Sequence, residues 1–359
     1  MPRVRAPAQR LDILSPMAER DDSPPRKCSR LRRLGVTLLV VLVIGGVGGE
    51  LVARYALGLG DPPLYRLDPD VEYILVPGRT YHRMGNVYAV NAYSMRSPEF
   101  SRTKPAGELR VLVVGDSIVN GGARVDQTQL ATEALKESLQ RKLARPVVVA
   151  NASAASWGPP NELAFVKKFG IFDADIVILV LNSDDLTDVP GIEGIGSQWP
   201  RATPTLALEE IWDRTIVKWI ERATGHSFGP APNRLPDPEK DEIECLDSAR
   251  AFFDFVKTNH ARPALVQHLK RSELVGTPQP GLAKFRDVAR AAGVPAYSAG
   301  DSFRASLEAG RDPYLPGDSV HANATGQKLL SDVLEQAVLD LLKGNDSGDK
   351  AGSGTGSTK

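Results

Sequence analysis

The sequence predicts an α/β protein, a three-layer sandwich with a central parallel sheet, preceded by a transmembrane helix. From residue 109 to residue 343, short apolar runs typical of strands buried on both faces alternate with stretches of helical spacing. Sixteen uncharged residues stand near the N-terminus. The 359 residues include 44 Lys and Arg and 44 Asp and Glu, and 42% are hydrophobic, an ordinary globular composition. We therefore expect one large globular region attached to an apolar anchor.

Composition also excludes several classes of protein. A formal net charge of zero and the lack of a long basic block argue against nucleic acid as the main partner. The two cysteines, Cys28 and Cys245, cannot build a disulfide framework or a cysteine-based metal site. Cys245 is interpreted as a small buried hydrophobe. The sequence predicts no metal and no cofactor.

The uncharged run begins at Leu34 and continues to Gly49; with Glu50 and the apolar residues through Ala53 it reaches twenty residues. As a helix this segment is about 30 Å long, the thickness of a bilayer core. Residues 34–54 are therefore predicted to be a membrane anchor, with Glu50 near the head groups. A cleaved signal peptide is the alternative, but the 33 residues before the run are long for one and no A-x-A site follows.

The flanking charges predict an orientation for the anchor. Residues 1–33 carry nine Lys and Arg against four Asp and Glu, with many Pro and Ser, and are expected to be disordered. Acidic residues follow the span. The positive-inside rule then places the N-terminus in the cytoplasm and the rest of the chain in the periplasm or outside the cell. We expect a single-pass protein of the cell membrane.

The remaining elements are predicted in chain order. Residues 55–108 are interpreted as an irregular lead-in packed on the main domain, with β-like pieces at 71–75 and 86–90. The main domain covers residues 109–343, with strands at 109–114, 147–150, 176–181, 263–267 and 295–298. Helices are predicted at 127–143, 161–169, 247–257, 282–292 and 324–343. An insertion at about 190–240 contains one amphipathic stretch, 206–222, and residues 344–359 are predicted to be a disordered tail.

Two segments carry residues suited to catalysis. Gly115-Asp116-Ser117 directly follows the first buried strand, where an α/β protein presents a nucleophile. Asp318 and His321 stand three residues apart just before the last helix. A neutral His can take a proton from the serine while the carboxylate fixes the imidazole tautomer. In the simpler interpretation, Ser117 caps a helix and the later segment is a surface loop.

These two segments together resemble the SGNH, or GDSL-type, serine hydrolases. GDSIVNG is similar to the family's first block and DSVH to its last, and the resemblance covers residues 109–343. It implies an SGNH-hydrolase fold, flavodoxin-like in its sheet, with Ser117 as nucleophile, His321 as general base and Asp318 as its partner. The family also uses an oxyanion hole, to which the backbone N–H of Ser117 contributes.

The two middle blocks depart from the family pattern. Ser156 stands where the second block usually has Gly, so its backbone N–H would serve the oxyanion hole if serine adopts the required conformation. In the third block, Asp184 stands where an Asn side chain is expected, and Asn182 is the alternative donor. A carboxylate at that position would repel the oxyanion, and loss of one donor costs on the order of 100- to 1,000-fold in kcat.

The resulting expectation is an exported, membrane-anchored serine esterase that cleaves an acetyl or short acyl ester of a small molecule or envelope glycan. Activity is expected to be reduced if Asp184 occupies the donor position. An O-acyltransferase that passes the same acyl group to an envelope glycan is one alternative. A non-catalytic binding module with a degenerate oxyanion hole is the other.

Overall fold

The computed structural model describes residues 26–191, 199–226, 234–276 and 278–352. The chain divides into two units, Met1–Gly49 and Glu50–Lys359. The described part of the first unit is helical: α1 spans Arg26–Leu51, and its described side chains before Gly49 are exposed. The helix begins before the expected end of the disordered segment, so residues 26–33 were wrongly predicted to lack structure. Extending a helix costs far less than starting one, which explains the earlier beginning.

The second unit begins with two antiparallel hairpins. Strands β1 (Tyr65–Asp68) and β2 (Glu72–Leu75) form one, and β3 (Arg79–Arg83) and β4 (Asn86–Val90) form the other. Tyr73, Tyr81 and Tyr88 are all buried in a core that also contains residues of the main sheet. The lead-in is therefore more regular than predicted and forms part of the globular unit.

The main sheet has five parallel strands: β5 (Leu109–Gly115), β6 (Val147–Ser153), β7 (Ile176–Leu181), β8 (Arg262–Gln267) and β9 (Ala296–Ser298). Their order, β6-β5-β7-β8-β9, is the 2-1-3-4-5 order of flavodoxin-like sheets, which confirms the predicted fold class. All seven residues of β5 are buried, as the continuous apolar run predicted.

The helices of the second unit cover both faces of this sheet. In chain order they are α2 (Ser117–Asn120), α3 (Ala131–Leu143), α4 (Pro159–Phe169), α5 (Ala207–Ile211), α6 (Lys218–Thr224), α7 (Pro238–Thr258), α8 (Arg271–Val275), α9 (Pro280–Ala291), α10 (Gly300–Glu308) and α11 (Ala324–Gly352). Helices α4, α7 and α9 pack against one face of the sheet and form a hydrophobic core with it. Helices α3, α10 and α11 pack against the opposite face and form a second core. The molecule has the predicted three layers.

Several boundaries differ from the predictions. Helix α7 begins at Pro238, inside the predicted insertion, because Asp237 caps it through the backbone N–H of Lys240 and proline suits the first turn. Helix α11 continues to Gly352, nine residues beyond its predicted end, since each added residue extends an existing helix. Helices α8 and α10 were not predicted. The remaining residues of the predicted tail, 353–359, and residues 1–25 lie outside the described part of the chain.

The carboxyl ends of the first three strands are level. Gly115 at the end of β5 pairs with Ser153 of β6 and with Val180 of β7. A Cβ atom on Gly115 would lie 2.6 Å from a methyl carbon of Val119 and 3.1 Å from the carbonyl oxygen of Val180, so glycine alone fits here. The turns after these strands therefore meet at one edge of the sheet.

Candidate active site

Ser117 is the first residue of α2, immediately after β5. The carboxylate of Asp116 caps this helix by accepting from the backbone N–H of Ile118 at 2.8 Å. A second donor, the side-chain amide of Asn182, reaches the other oxygen of Asp116 at 3.1 Å. Burial raises the pKa of Asp116 to about 6. Asn182, directly after the neighbouring strand β7, thus holds the turn that carries Ser117, the candidate nucleophile.

The loop before α11 brings an imidazole to this serine. The Oγ of Ser117 lies 3.0 Å from Nε2 of His321, although the two residues are 204 positions apart. Nδ1 of His321 lies 2.8 Å from a carboxylate oxygen of Asp318. With the proton on Nδ1, His321 donates to Asp318 and its Nε2 accepts from the serine hydroxyl. The three residues form one chain of hydrogen bonds, the geometry of a nucleophile, a base and an orienting carboxylate.

Asp318 is held as an anion. Burial acts to raise its pKa, but hydrogen bonds from the backbone N–H groups of His321 and Val320 and from the imidazole outweigh that effect, so the pKa is lowered. The guanidinium of Arg124 also donates to Asp318, at 3.3 Å. An ionised Asp318 stabilises the imidazolium that forms when His321 takes up a proton.

A second histidine, His268, supports the loop that carries His321. The Nε2–H of His268 donates to the carbonyl oxygen of Val320 at 2.8 Å, one residue before His321. The ring of His268 is fully buried and packs edge-on against Phe303 and Tyr314. Burial lowers the pKa of His268 to about 4. No sequence pattern marks this histidine, because its partner is a backbone carbonyl group 52 residues away.

Ser156 has a backbone conformation that favours glycine. Its φ is +54°, in the left-handed region that disfavours side chains. Hydrogen bonds hold the loop from outside: Tyr73 of β2 lies 3.0 Å from the carbonyl oxygen of Ser156 and 2.7 Å from that of Ala155. Nε1 of Trp199 donates to Ala155 as well, at 3.3 Å. These hydrogen bonds support a backbone shape that is costly for serine.

The polar side chains of Asn182 and Asp184 in the third block are both bonded to other side chains of the protein. The side-chain amide of Asn182 donates to both Asp116 and Asp185, and the residue is buried. The carboxylate of Asp184, by contrast, is more than half exposed and forms an ion pair of 2.6 Å with Nζ of Lys270. The ammonium of Lys270 therefore offsets the negative charge of Asp184, a pairing that the motif comparison did not predict.

A cavity of about 300 Å³ opens beside Ser117 and His321. Ser117 and His321 line it together with Tyr65 and Tyr88 of the two hairpins, Gly121 to Arg124 of the turn after α2, Ala155 of the loop after β6 and Arg214 of the insertion. Arg214 shares the carboxylate of Glu210 with Arg83, which is buried behind the cavity wall. Among the described residues, no group of His, Cys, Asp and Glu side chains could hold a metal ion.

Comparison with solved structures finds proteins of similar fold. A two-domain esterase active on acetylated mannans is 14% identical, with a TM-score of 0.43 over 66% of this chain, which spans only 50% of that esterase. Both this neighbour and the next one are esterases. A psychrotrophic esterase from Pseudoalteromonas sp. is 13% identical, with a TM-score of 0.41 over 65% of this chain and 98% of its own.

A protein described as a GDSL-like lipase, from Parabacteroides merdae, is also 13% identical, with a TM-score of 0.41 over 67% of this chain and 98% of its own. GDSL is the name of the family that the two sequence motifs resemble. No protein-family model and no curated protein sequence matches the chain.

Proposed function

We propose that this chain is a serine esterase of the SGNH type that hydrolyses a short acyl ester. The observation that carries the proposal is the hydrogen-bonded chain from Ser117 through His321 to Asp318, with distances of 3.0 and 2.8 Å. The Oγ of Ser117 attacks the ester carbonyl carbon while its proton passes to Nε2 of His321. The imidazolium then protonates the departing alcohol, which leaves an acyl group on Ser117.

Water completes the reaction. His321 removes a proton from a water molecule that attacks the acyl-enzyme, and the carboxylic acid leaves as Ser117 regains its proton. The backbone N–H groups of Ser117 and Ser156 serve as oxyanion donors. In the described part of the chain neither group has a hydrogen-bond acceptor, and the left-handed φ of Ser156 suits this role.

The cavity supports a small and anionic substrate. Its volume of about 300 Å³ is at the lower end for ligand sites. Arg124 and Arg214 line it; half-exposed Arg124 also pairs with Asp318, and Arg214 shares its carboxylate partner with Arg83. We therefore assign the substrate class as an acetyl or short acyl ester whose alcohol part carries a negative charge. For Arg214→Met, KM should rise about tenfold for a charged ester and stay unchanged for its neutral analogue.

The proposal places the esterase at the cell envelope. One described helical segment, Arg30–Ala56, is long and apolar enough to cross a membrane. The basic residues before it favour a cytoplasmic N-terminus, with the second unit on the opposite side. An envelope glycan that carries acyl groups is the substrate that this location favours.

A fluorophosphonate probe tests the nucleophile. The full chain in detergent should become covalently labelled, and labelling should disappear in Ser117→Ala and fall at least 100-fold in rate in His321→Gln. Ser319→Ala is the matched control, because Ser319 is exposed in the same loop as the imidazole. Unlabelled, folded wild-type protein would overturn the esterase proposal and favour the binding module.

Hydrolysis is favoured over acyl transfer by one observation. The side chain of His321 is 41% exposed, so water reaches the base directly. Addition of a glycan acceptor should therefore leave the rate of acid release unchanged. An acceptor-dependent increase in turnover, with the acyl group recovered on the glycan, would identify an O-acyltransferase instead.

A further inference from the structure

Exposed apolar side chains of the second unit are concentrated in one region. Four of them belong to the insertion segment 206–224, and we call these Leu206, Trp212, Ile216 and Trp219 the tryptophan face. Their exposed fractions are 47%, 57%, 37% and 67%. A π-helical stretch, Trp212–Val217, joins α5 to α6, and we call 207–224 the insertion helix. Trp212, Ile216 and Trp219 follow one another along it at spacings of four and three residues and are all exposed, so they share one side of it.

More exposed apolar groups lie where this unit begins. Leu51, Val52, Tyr55 and Leu57 are all exposed at the end of the candidate span, and Met84 lies beside them through a backbone hydrogen bond to Leu57. The other large exposed apolar side chains that the structure describes in this unit are Leu67, Leu235, Ile243 and Val275, on separate segments. A concentration of this size marks a surface that contacts something apolar.

Polar bonds tie the tryptophan face to the end of the candidate span. The carboxylate of Glu50 accepts from the backbone N–H of Ala207 at 2.8 Å and of Leu208 at 3.1 Å, at the start of α5. The guanidinium of Arg54 donates to the carbonyl oxygen of Thr205 at 3.1 Å. The insertion helix is therefore held next to the residues at which the chain leaves the apolar segment.

The inner side of this helix is fixed in place. Glu210 is buried, pairs with Arg83 and accepts from the backbone N–H of Gly60 at 2.9 Å. Ala207 is fully buried, and Arg214 lines the cavity beside Ser117. The helix cannot rotate its apolar side into the protein without breaking a buried ion pair, so the tryptophan face stays outward.

Tryptophan is the side chain expected at a bilayer surface. Its ring combines a large apolar area with one N–H donor and favours the level of the lipid head groups. The two other tryptophans, Trp157 and Trp199, are buried in the protein. Exposed Arg222 on the same helix can extend toward lipid phosphates, whereas Lys218 pairs with Glu221 at 2.7 Å.

We propose that residues 206–224 lie in the head-group layer of the membrane, with the tryptophan face among the lipids. This inference rests on the proposed anchor, since the same bilayer holds the apolar segment that ends beside Thr205. Membrane contact on the outer side of the helix then fixes Arg214 on its inner side, and the cavity beside Ser117 opens next to the membrane surface. The enzyme would act on esters at that surface.

Quenching of tryptophan fluorescence by brominated lipid tests the contact. The candidate span contains no tryptophan, so emission from the full chain in vesicles reports on the second unit alone. Phosphatidylcholine brominated near the head group should quench wild-type emission more than lipid brominated near the chain end. In the double variant Trp212→Phe, Trp219→Phe, this quenching should fall at least roughly twofold, because the remaining two tryptophans are buried.

A control tryptophan and a separate insertion assay make the result decisive. Ile243→Trp, introduced into the double variant at an exposed position of α7, should be quenched by aqueous iodide and unaffected by bromolipid. Wild-type protein that resists alkaline extraction from vesicles but shows no bromolipid quenching would overturn the inference and leave the anchor standing. A chain that fails to insert would overturn both. Tryptophan emission that is blue-shifted, is not quenched by bromolipid and depends on the density of protein in the vesicles would overturn the inference. It would show that a second copy of the chain covers the tryptophan face.

Discussion

The hydroxyl of Tyr73 lies 3.0 Å from the carbonyl oxygen of Ser156, so the first hairpin supports the loop that carries this proposed oxyanion donor. The same hydroxyl lies 2.7 Å from the carbonyl oxygen of Ala155. Serine at a φ of +54° is strained, at a cost of order 1 kcal/mol. The lead-in thus contributes to the site, although none of its residues belongs to a motif.

Replacement of Tyr73 by Phe should weaken catalysis more than binding. One lost hydrogen bond is worth about 0.5–1.5 kcal/mol, and the freed loop would relax from its left-handed conformation. We expect kcat to fall about 3- to 10-fold with KM nearly unchanged, measured on a chromogenic acetyl ester. Tyr93→Phe is the control, because the Tyr93 ring packs against Phe100 and Phe172 elsewhere.

A second substitution distinguishes this role from simple loss of stability. Glycine adopts a positive φ without strain, so Ser156→Gly should restore most of the activity of Tyr73→Phe. A Tyr73→Phe variant with wild-type kcat would show that the loop keeps its shape without this hydrogen bond.

Lys270 is expected to reduce the repulsion between the carboxylate of Asp184 and the oxyanion. Its ammonium lies 2.6 Å from the carboxylate of Asp184, the residue that the motif alignment matches to the family's Asn donor, with Asn182 as the alternative. In Lys270→Met, the uncompensated carboxylate should repel the oxyanion and lower kcat about 10- to 100-fold. The double variant Lys270→Met, Asp184→Asn should recover activity, since the repelling charge is gone.

A double-mutant cycle on kcat/KM measures this coupling. Asp184→Asn alone should equal or exceed wild type. If Lys270→Met loses activity equally with Asp or Asn at position 184, the lysine acts on the reaction by a separate route.

Glu162 should make the protein less stable as pH rises. It is fully buried, and neither carboxylate oxygen has a hydrogen-bond partner in the described part of the chain. Burial raises its pKa well above 4.5, and the nearby carboxylates of Asp116 and Asp188 raise it further. Above the ordinary pKa the unfolded chain has lost this proton while the folded chain retains it. Stability therefore falls with pH, by up to about 1.4 kcal/mol per unit.

Glu162→Gln should remove this contribution. We expect a smaller loss of thermal stability between pH 5 and about pH 8 than in wild type, measured in detergent. Glu137→Gln, on the exposed surface of α3, should leave the profile unchanged. An identical profile in Glu162→Gln and wild type would mean that Glu162 does not titrate between these pH values on unfolding.

The predictable parts of the site are those encoded by short spacings. Ser117 follows a strand that was recognisable from its apolar run, and Asp318 and His321 are three residues apart, so local sequence was enough to propose them. The parallel sheet covered on both faces followed from strand and helix alternation, whereas its flavodoxin-like character was an implication of the family resemblance. Asp237 and Pro238 also gave a local helix-start signal, and the predicted start of α7 at residue 247 overlooked it.

The groups that sequence reasoning missed act across long separations. Tyr73 reaches a carbonyl 83 residues away, and Lys270 reaches a carboxylate 86 residues away. Backbone acceptors have no sequence signature, and a lysine ion pair leaves no pattern at such distances. Arg214 enters the cavity from an insertion whose amphipathic spacing indicates a helix but not what its polar side contacts.

His268 should affect both acid stability and catalysis. Burial lowers its pKa from 6.5 to about 4, so below pH 6.5 the unfolded chain binds a proton that the folded chain does not. Stability is then complete above that pH and falls as pH decreases toward 4, by up to about 3 kcal/mol from this residue. In His268→Leu this acid-dependent loss should disappear, measured as the thermal midpoint at each pH, whereas exposed His82→Gln should behave as wild type.

The catalytic effect has a different cause. His268 donates to the carbonyl oxygen of Val320, and loss of this bond in His268→Leu should misplace His321 and lower kcat about tenfold. Glutamine keeps a side-chain N–H donor, so His268→Gln should retain more activity than the leucine variant while also losing the acid-dependent term. Equal kcat in the leucine and glutamine variants would show that packing against Phe303 and Tyr314, rather than the hydrogen bond, positions the loop that carries His321.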